Sequence, residues 1–555
     1  MKRMIFTVLI FSFLPFAVYA QSSNEIEKIL LLSGVTSAEE LTAEDFELLQ
    51  DALRHPIRIN LASKSRLISS GLFSPYQAVS LIDYRKRFGD VLSYAELAAV
   101  DGFGIHCVEM LKPFINLDTR GHDELSAPKV NSVYNELSLR GGYRYSAKEQ
   151  DWHYGLKYGL DAGPFQVSIG GSRSRTAKTS APTDYTGSLC YDFKKLDAKV
   201  ILGDYNARFG QGLLAWNGAF INSLRTPSSF MKKASGLTPV RSFTGSVANT
   251  GMAMEFGFKQ TSLAAAYSFG GQKIVNFRRF GRVGTVGMTI LNDGGWKSSL
   301  DAAVCIRGVN LFGETVYDWL GHSAAFVLGN DFSPADNLRI ASLLGWYQGK
   351  QWQNAFSGTF LCGSRLRNSL TFASDFIYYL TPKAHSLTHS LQLKSYLRWE
   401  YQLSDQLILR IQLSDRFRTW GLTHRTELRM ETCSQLKCWT FDTRVNMLKS
   451  RSHSALAYTD VTYKKSKITI HQRFGAFCVD NWDDRIYVYE YDAPGNFNVP
   501  AYYGRGVWTA SMLSWKLVRS IRVYLRTSYI SYPFMSDEKK KPGRAELKFQ
   551  IVFRF

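Results

Sequence analysis

The chain has 555 residues, 14% of them aromatic, a mean hydropathy of −0.17 and a formal net charge of +20. The length excludes a single ordinary compact domain, and beyond the first residues no run of about 18 apolar positions occurs, which excludes helical membrane spans. The charge is unevenly divided: residues 21–128 hold sixteen carboxylates and ten basic side chains, so with Lys2 and Arg3 set aside the rest of the chain carries +24.

Lys2 and Arg3 precede the apolar run Ile5–Phe16, and Val18-Tyr19-Ala20 offers small residues before Gln21. This is the pattern of a secretory signal peptide over residues 1–20, and no Cys follows it to carry a lipid anchor. Residues 21–57 read as an acidic helical segment. One helix runs from Asn24 to Leu32, Ser37-Ala38-Glu39-Glu40 is a cap and first turn, and a second helix runs from Thr42 to Leu53 with carboxylates in its first turn.

The next stretch, residues 58–118, contains the Asn60 region, Tyr84-Arg85, Phe88-Gly89, Ser93 with Glu96-Leu97, Gly102-Phe103-Gly104-Ile105 and Lys112-Pro113. In this order and spacing, Arg58 to Leu117 resembles the tandem helix-hairpin-helix module of ComEA-type competence DNA receptors. The resemblance covers about a tenth of the chain. It implies that glycine-rich hairpins present backbone N–H groups to the phosphates of duplex DNA. Gly102 and Gly104 would do this here, with Lys64, Arg66, Arg85, Lys86, Arg87 and Lys112 as the available cations. The first hairpin departs from the pattern, because Leu72-Phe73-Ser74-Pro75 stands where the glycines belong. The module is also close to neutral, and DNA affinity comes chiefly from phosphate neutralisation. Two readings stay open for it: a DNA-binding domain, or a scaffold that docks a protein partner or plugs the barrel.

A linker follows over residues 119–131. From 132 to 555 the pattern becomes short alternating segments. Among them are Trp152–Leu160, Phe165–Ile169, Met252–Phe258, Leu338–Trp346, Leu391–Tyr401, Leu407–Leu413, Ile468–Phe474, Ile486–Tyr491 and Ile521–Tyr529. They are separated by turn signals such as Asp161-Ala162-Gly163-Pro164, Asn292-Asp293-Gly294-Gly295 and Ser333-Pro334-Ala335-Asp336. This is the repeated signature of barrel strands, roughly 16–24 of them, with Tyr and Trp forming girdles at the two membrane interfaces. The basic excess falls in this region. Its readings are a lumen that favours anions, or a solvated interior with loops against anionic lipid headgroups.

The final strand carries the clearest pattern. Leu547, Phe549, Ile551, Phe553 and Phe555 take one face, and Lys548, Gln550, Val552 and Arg554 the other. Such a strand needs lipid on its apolar face and closure to remove its edge. Its end, Phe553 and Phe555, resembles the assembly signal that barrel-insertion machinery reads on outer-membrane proteins. The expected fold is α+β: a small all-α tandem helix-hairpin-helix domain, then a large antiparallel transmembrane β-barrel. As a whole the chain resembles outer-membrane proteins of the Bacteroides lineage described as helix-hairpin-helix domain-containing. That family implies the architecture and brings no activity with it.

Within the barrel, Gly203-Asp204-Tyr205-Asn206-Ala207-Arg208-Phe209-Gly210-Gln211-Gly212 is the densest glycine-polar segment. Asp204, Arg208, Gly210 and Gly212 are candidates for a constriction that meets an anionic solute, and barrel-corner geometry is the other account of them. Arg173-Ser174-Arg175, Arg278-Arg279-Phe280-Gly281-Arg282 and Lys539-Lys540-Lys541 read as rim or loop charges. Cys433 and Cys438 are close enough in sequence to bridge a hairpin in an oxidising compartment. No Gly-x-Ser-x-Gly elbow, zinc spacing or phosphate-binding loop is present, so the expectation is a non-enzyme without metal or cofactor. Its expected partners are outer-membrane lipid, and duplex DNA or a periplasmic protein. Its expected place is the outer membrane, with the N-terminal domain in the periplasm.

Overall fold

The structure, a computed structural model, describes residues 25–555 except 120–132, 148–149, 176, 178, 194–195, 219–224, 244–247, 348–350, 363–367, 381–389, 405, 421–422 and 536–540. The expected signal peptide, nearly all of the linker, and Lys539 and Lys540 lie outside the described residues.

Among the described residues, 24 antiparallel strands close into one barrel, the upper end of the expected range. Closure is made by the final strand, Arg544–Arg554, which pairs with the first wall strand, Tyr134–Ser146. The predicted faces of the last strand hold. Leu547 and Phe549 are 45% and 49% exposed, whereas Gln550 and Val552 are buried inside. The same phase recurs around the wall, with Met252, Met254, Phe256 and Phe258 outward on one strand and Phe372 and Phe376 on another. The exterior is therefore apolar over strand after strand, a surface that lipid satisfies and water does not. Aromatic pairs two residues apart gather at the strand ends. Tyr317–Trp319 (4.9 Å) lies toward one mouth, and Trp399–Tyr401 (5.7 Å) toward the other.

At the end where Asn135 exchanges backbone hydrogen bonds with Phe555, most connections are tight turns. At the opposite end two long connections turn inward. One joins Ala198–Arg208 to Asn249–Phe258, and its short strand Gly236–Pro239 pairs with the end of Ala198–Arg208. The other joins Ile468–Val479 to Gly504–Val518. This second connection corrects one expectation. Ile486–Tyr491 is not a wall strand; Ile486–Tyr487 pairs with Ala501–Tyr502, and Glu490 bridges Asn498, inside the loop. Its alternation reflects half-burial against the lumen, which imposes the same period as half-burial against lipid. The Ser333–Asp336 turn signal is also displaced: Ser323–Ala335 continues through Pro334, tolerated at a register irregularity near the strand's end.

Residues 25–118 form six short helices: α1 Glu25–Ser33, α2 Ala43–Arg54, α3 Lys64–Ser69, α4 Pro75–Phe88, α5 Tyr94–Ala99 and α6 Gly104–Leu111. Their starts follow the sequence signals. The Thr42 side chain caps α2, Ser63 caps α3, Ser93 caps α5, and Ser74 with Gln77 makes a capping box at α4. Buried Asn60 ties the bundle together, donating to the carbonyls of Val91 and Leu117 and accepting from the Val91 amide. Leu67, Phe73, Leu81, Leu97 and Leu111 form its fully buried centre. Each such side chain contributes about 1.5–3 kcal/mol on burial.

Candidate functional site: the plug within the lumen

The acidic segment of residues 25–54 sits inside the barrel. It carries eight carboxylates against two basic residues, and six of the eight meet cations of the wall or of the inserted connections. Glu27 meets Arg410 at 2.8 Å, Glu39 meets Arg444 at 2.5 Å and Arg429 at 3.7 Å, and Glu40 pairs with Arg225. Asp45 meets Arg208 at 2.9 Å, Glu47 meets Lys157 at 3.1 Å, and Asp51 lies 3.8 Å from Arg241. Arg398 donates to the Thr36 carbonyl at 2.7 Å.

Short elements set this geometry. The 3₁₀ turn Ala38–Glu40 places Glu39 and Glu40 on successive directions, so one reaches the wall and the other the inserted connection. Opposite Glu39, Glu431 is in register with Arg444, and Arg429 lies two residues away on the same inward face. Burial pushes the Glu39 carboxyl upward, but Arg444 and Arg429 outweigh it and hold the group well below the usual carboxylate range. Glu47 goes the other way, because burial exceeds the pull of Lys157 and raises its pKa.

The inserted connections close over the plug. The Tyr489 amide donates to Glu39 at 3.0 Å, and the Gly495 amide donates to the Gln50 side chain. Phe46 packs its ring 5.7 Å from Tyr489 and 5.0 Å from Phe497. Lys233 donates to the Leu72 carbonyl at 3.0 Å. A cavity of about 1330 Å³ remains between plug, wall and connections, and Lys232 is among its lining residues. Burial lowers the Lys232 pKa to about 7 despite Glu314 and Asp45.

The residues predicted from sequence fall into distinct places. Gly102 and Gly104 are exposed with φ of +85° and +73°, and a side chain at Gly104 would meet nothing within 4 Å. Leu72 and Phe73, standing in the other hairpin, are core residues, and that hairpin is engaged by Lys233. Of the proposed DNA-contacting cations, Arg85 donates to the carbonyls of Ile59 and Ala62, and Lys64 pairs with Asp197 of a wall turn. Arg87 pairs with Asp83 and Lys112 with Glu109; Arg66 and Lys86 are exposed.

The glycine-polar segment divides. Asp204 accepts from the Gly187 amide and the Thr250 hydroxyl, which fixes neighbouring strands. The tight turn at Gly210 brings the Gln211 and Leu213 amides onto Glu314 of the wall, and Gly212 packs its positive-φ backbone against Trp216. Only Arg208 reaches the plug. The bridge expected between Cys433 and Cys438 is not made: both thiols are free. Cys433 lies within Thr423–Leu436 opposite Asp442, so the turn places Cys438 out of register with it. Phe553 lies near the end of the closing strand and Phe555 follows it, 69% exposed.

The lumenal arginines Arg398, Arg410, Arg429 and Arg444 were not singled out in the sequence. Their signal was present: each occupies the inward phase of a strand whose other face is apolar.

No protein-family model matches the chain, and no curated protein matches it. Solved structures are similar at the level of a large barrel. The siderophore receptor PirA from Acinetobacter baumannii is 7% identical, with 78% of this chain and 81% of that chain covered and a TM-score of 0.43. The FrpB iron transporter from Neisseria meningitidis is 9% identical, covering 76% and 81%, at 0.40. The translocation pore of the P pilus usher PapC is 8% identical, covering 76% and 99%, at 0.38. At these identities and scores none of them identifies a family or a cargo for this chain.

Proposed function

We propose that the protein is an outer-membrane transport barrel held shut by its own N-terminal segment, with the helical domain facing the periplasm. The observation that carries this reading is the set of six plug carboxylates seated on lumenal and inserted-loop cations. Release of the plug from the wall breaks these charge contacts and the packing of Phe46 on Tyr489 and Phe497, and it leaves unpaired cations in the lumen. Insertion through the Phe553–Phe555 end belongs to the same reading.

Planar-bilayer recording tests it. The natural protein is expected to stay closed. A variant with Glu27→Gln, Glu39→Gln, Glu40→Gln and Asp45→Asn is expected to open, with anions carrying most of the current. A variant that keeps the folded, heat-modifiable form yet stays closed, or passes mainly cations, would overturn the reading.

A second reading has duplex DNA bind the Gly102–Gly104 turn. One observation favours it: exposed left-handed glycines at a helix start, with open space at Gly104. Under this reading the intact protein binds duplex with a steep salt dependence, and Gly104→Val weakens it. Binding absent at low salt leaves docking as the domain's role.

A further inference from the structure

Three adjacent strands carry a line of basic side chains that the plug covers only at one end. Ser390–Ser404, Leu407–Arg418 and Thr423–Leu436 are antiparallel neighbours. Their register sets Arg416 between Lys394 and Arg425, and Gln412 between Arg398 and Arg429. Arg418 stands one step nearer the mouth with the long connections, opposite Gln392. Arg410 stands one step nearer the plug, opposite Glu400 and Glu431. All point inward, since Leu397, Trp399 and Leu413, in the alternate phase, are exposed on the outside.

The two ends of the line differ in occupancy. At the plug end Arg410, Arg398 and Arg429 meet Glu27, the Thr36 carbonyl and Glu39, in addition to the wall carboxylates Glu400 and Glu431. At the loop end Lys394 pairs with Asp375 at 2.9 Å and Arg425 lies 3.6 Å from Glu427, whereas Arg416 makes no ion pair among the described residues. Arg418 donates to the Gln392 side chain, and Arg425 donates to the backbone carbonyls of Asp483 and Arg485. Neutral hydrogen-bonding groups alternate with the cations: Gln392 and Gln412 are buried beside them, and the Tyr396 hydroxyl donates to Gln412.

We infer that this line is the path of an acidic oligosaccharide, taken in at the loop-side mouth and led toward the plug, whose Glu27 and Glu39 occupy its last cation positions. The inference rests on the transport reading above. Guanidinium forks match carboxylate and sulfate groups bidentately. The amide and hydroxyl side chains between them match the hydroxyls of a sugar chain. A single-stranded nucleic acid would need free aromatic faces for its bases. Here the faces of Tyr396 and Trp420 are already covered by Arg225 and Arg418.

Calorimetric titration of the full-length protein in a non-ionic detergent decides the matter, using a galacturonate hexasaccharide, neutral maltohexaose and hexathymidylate. The acidic sugar is expected to bind and maltohexaose not to. Arg416→Gln with Arg418→Gln is expected to weaken binding about tenfold, the scale of one charge-assisted hydrogen bond. The paired Lys replacements keep the charge but not the fork, so they should recover part of the lost affinity, which a merely misfolded variant would not. No binding of the acidic sugar, indifference to the Gln variant, or tighter binding of hexathymidylate overturns the inference. These residues lie outside the plug contacts, so failure here leaves the bilayer test untouched, and a plug that never opens leaves this binding measurable.

Discussion

Glu39 and Glu47 belong to one acidic segment and each meets a cation, yet burial leaves them with opposite signs. Glu39 has two guanidinium groups and a backbone amide, so its ionised form is favoured in the docked state. Its contribution to docking is full above the ordinary carboxylate pKa of about 4.3 and fades only as pH falls through its lowered docked value. Glu47 has one ammonium and the neighbouring charge of Asp51, and its docked pKa is raised. Its ionisation therefore weakens docking as pH rises through that value. Glu39→Gln is expected to cost about 3 kcal/mol near pH 7, because it strands buried Arg444, while Arg429 keeps its pair with Glu431. Glu47→Gln should cost little there or stabilise, and near pH 5 the benefit should shrink. Thermal melting of each full-length variant at both pH values checks this. Equal destabilisation by the two substitutions would show that contact alone, rather than the balance of burial and charge, governs the plug.

At the scale of elements, local pattern carried much of the fold. Strict alternation through Leu547–Phe555 gave the closing strand and its faces, because a strand between lipid and lumen must change polarity at every residue. The one exception on the polar face, Val552, is inside and buried. Thr42 marked its helix start in the sequence; Ser63, Ser74 and Ser93 cap helices too, but were not singled out as caps. Pattern failed where a loop mimics a wall: Ile486–Tyr491 alternates for the lumen's sake. It also failed to explain Leu72 and Phe73. They were visible as departures from a glycine hairpin, but that they fill the bundle's core depends on helices folded around them. The plug contacts were legible only as a charge imbalance. Glu27 and Arg410 are separated by 383 positions, and no local spacing joins them. Among the cations read as available to DNA, Arg85 bonds carbonyls within the helical domain and Lys64 pairs with Asp197 of a wall turn, contacts that no local spacing announces.

For the whole molecule, the N-terminal segment is held from both mouths and by two kinds of force. From the terminal side the plug enters on carboxylates, and from the loop side the inserted connection meets it with apolar rings. Phe46 is 2% exposed between Tyr489 and Phe497, and those two rings lie 5.9 Å apart. Salt weakens the charge contacts wherever ions reach them and leaves the ring cluster unaffected or strengthened. A barrel closed by charge alone would leak in strong salt; one closed by rings alone would ignore Glu39. Both devices act on one rigid segment, since Phe46 and Asp45 share α2 and Glu39 lies one turn before it. Their effects on plug release should therefore couple and not simply add. Phe46→Ala is expected to cost about 3 kcal/mol of docking and still leave the pore closed in moderate salt. Glu39→Gln alone should give brief openings. The double variant should conduct steadily, with open probability above the product of the two single effects. Single-channel recording of the four proteins across a salt series measures that coupling. Strict additivity would mean that the rings and the carboxylate hold separate pieces, and that the plug does not move as one body.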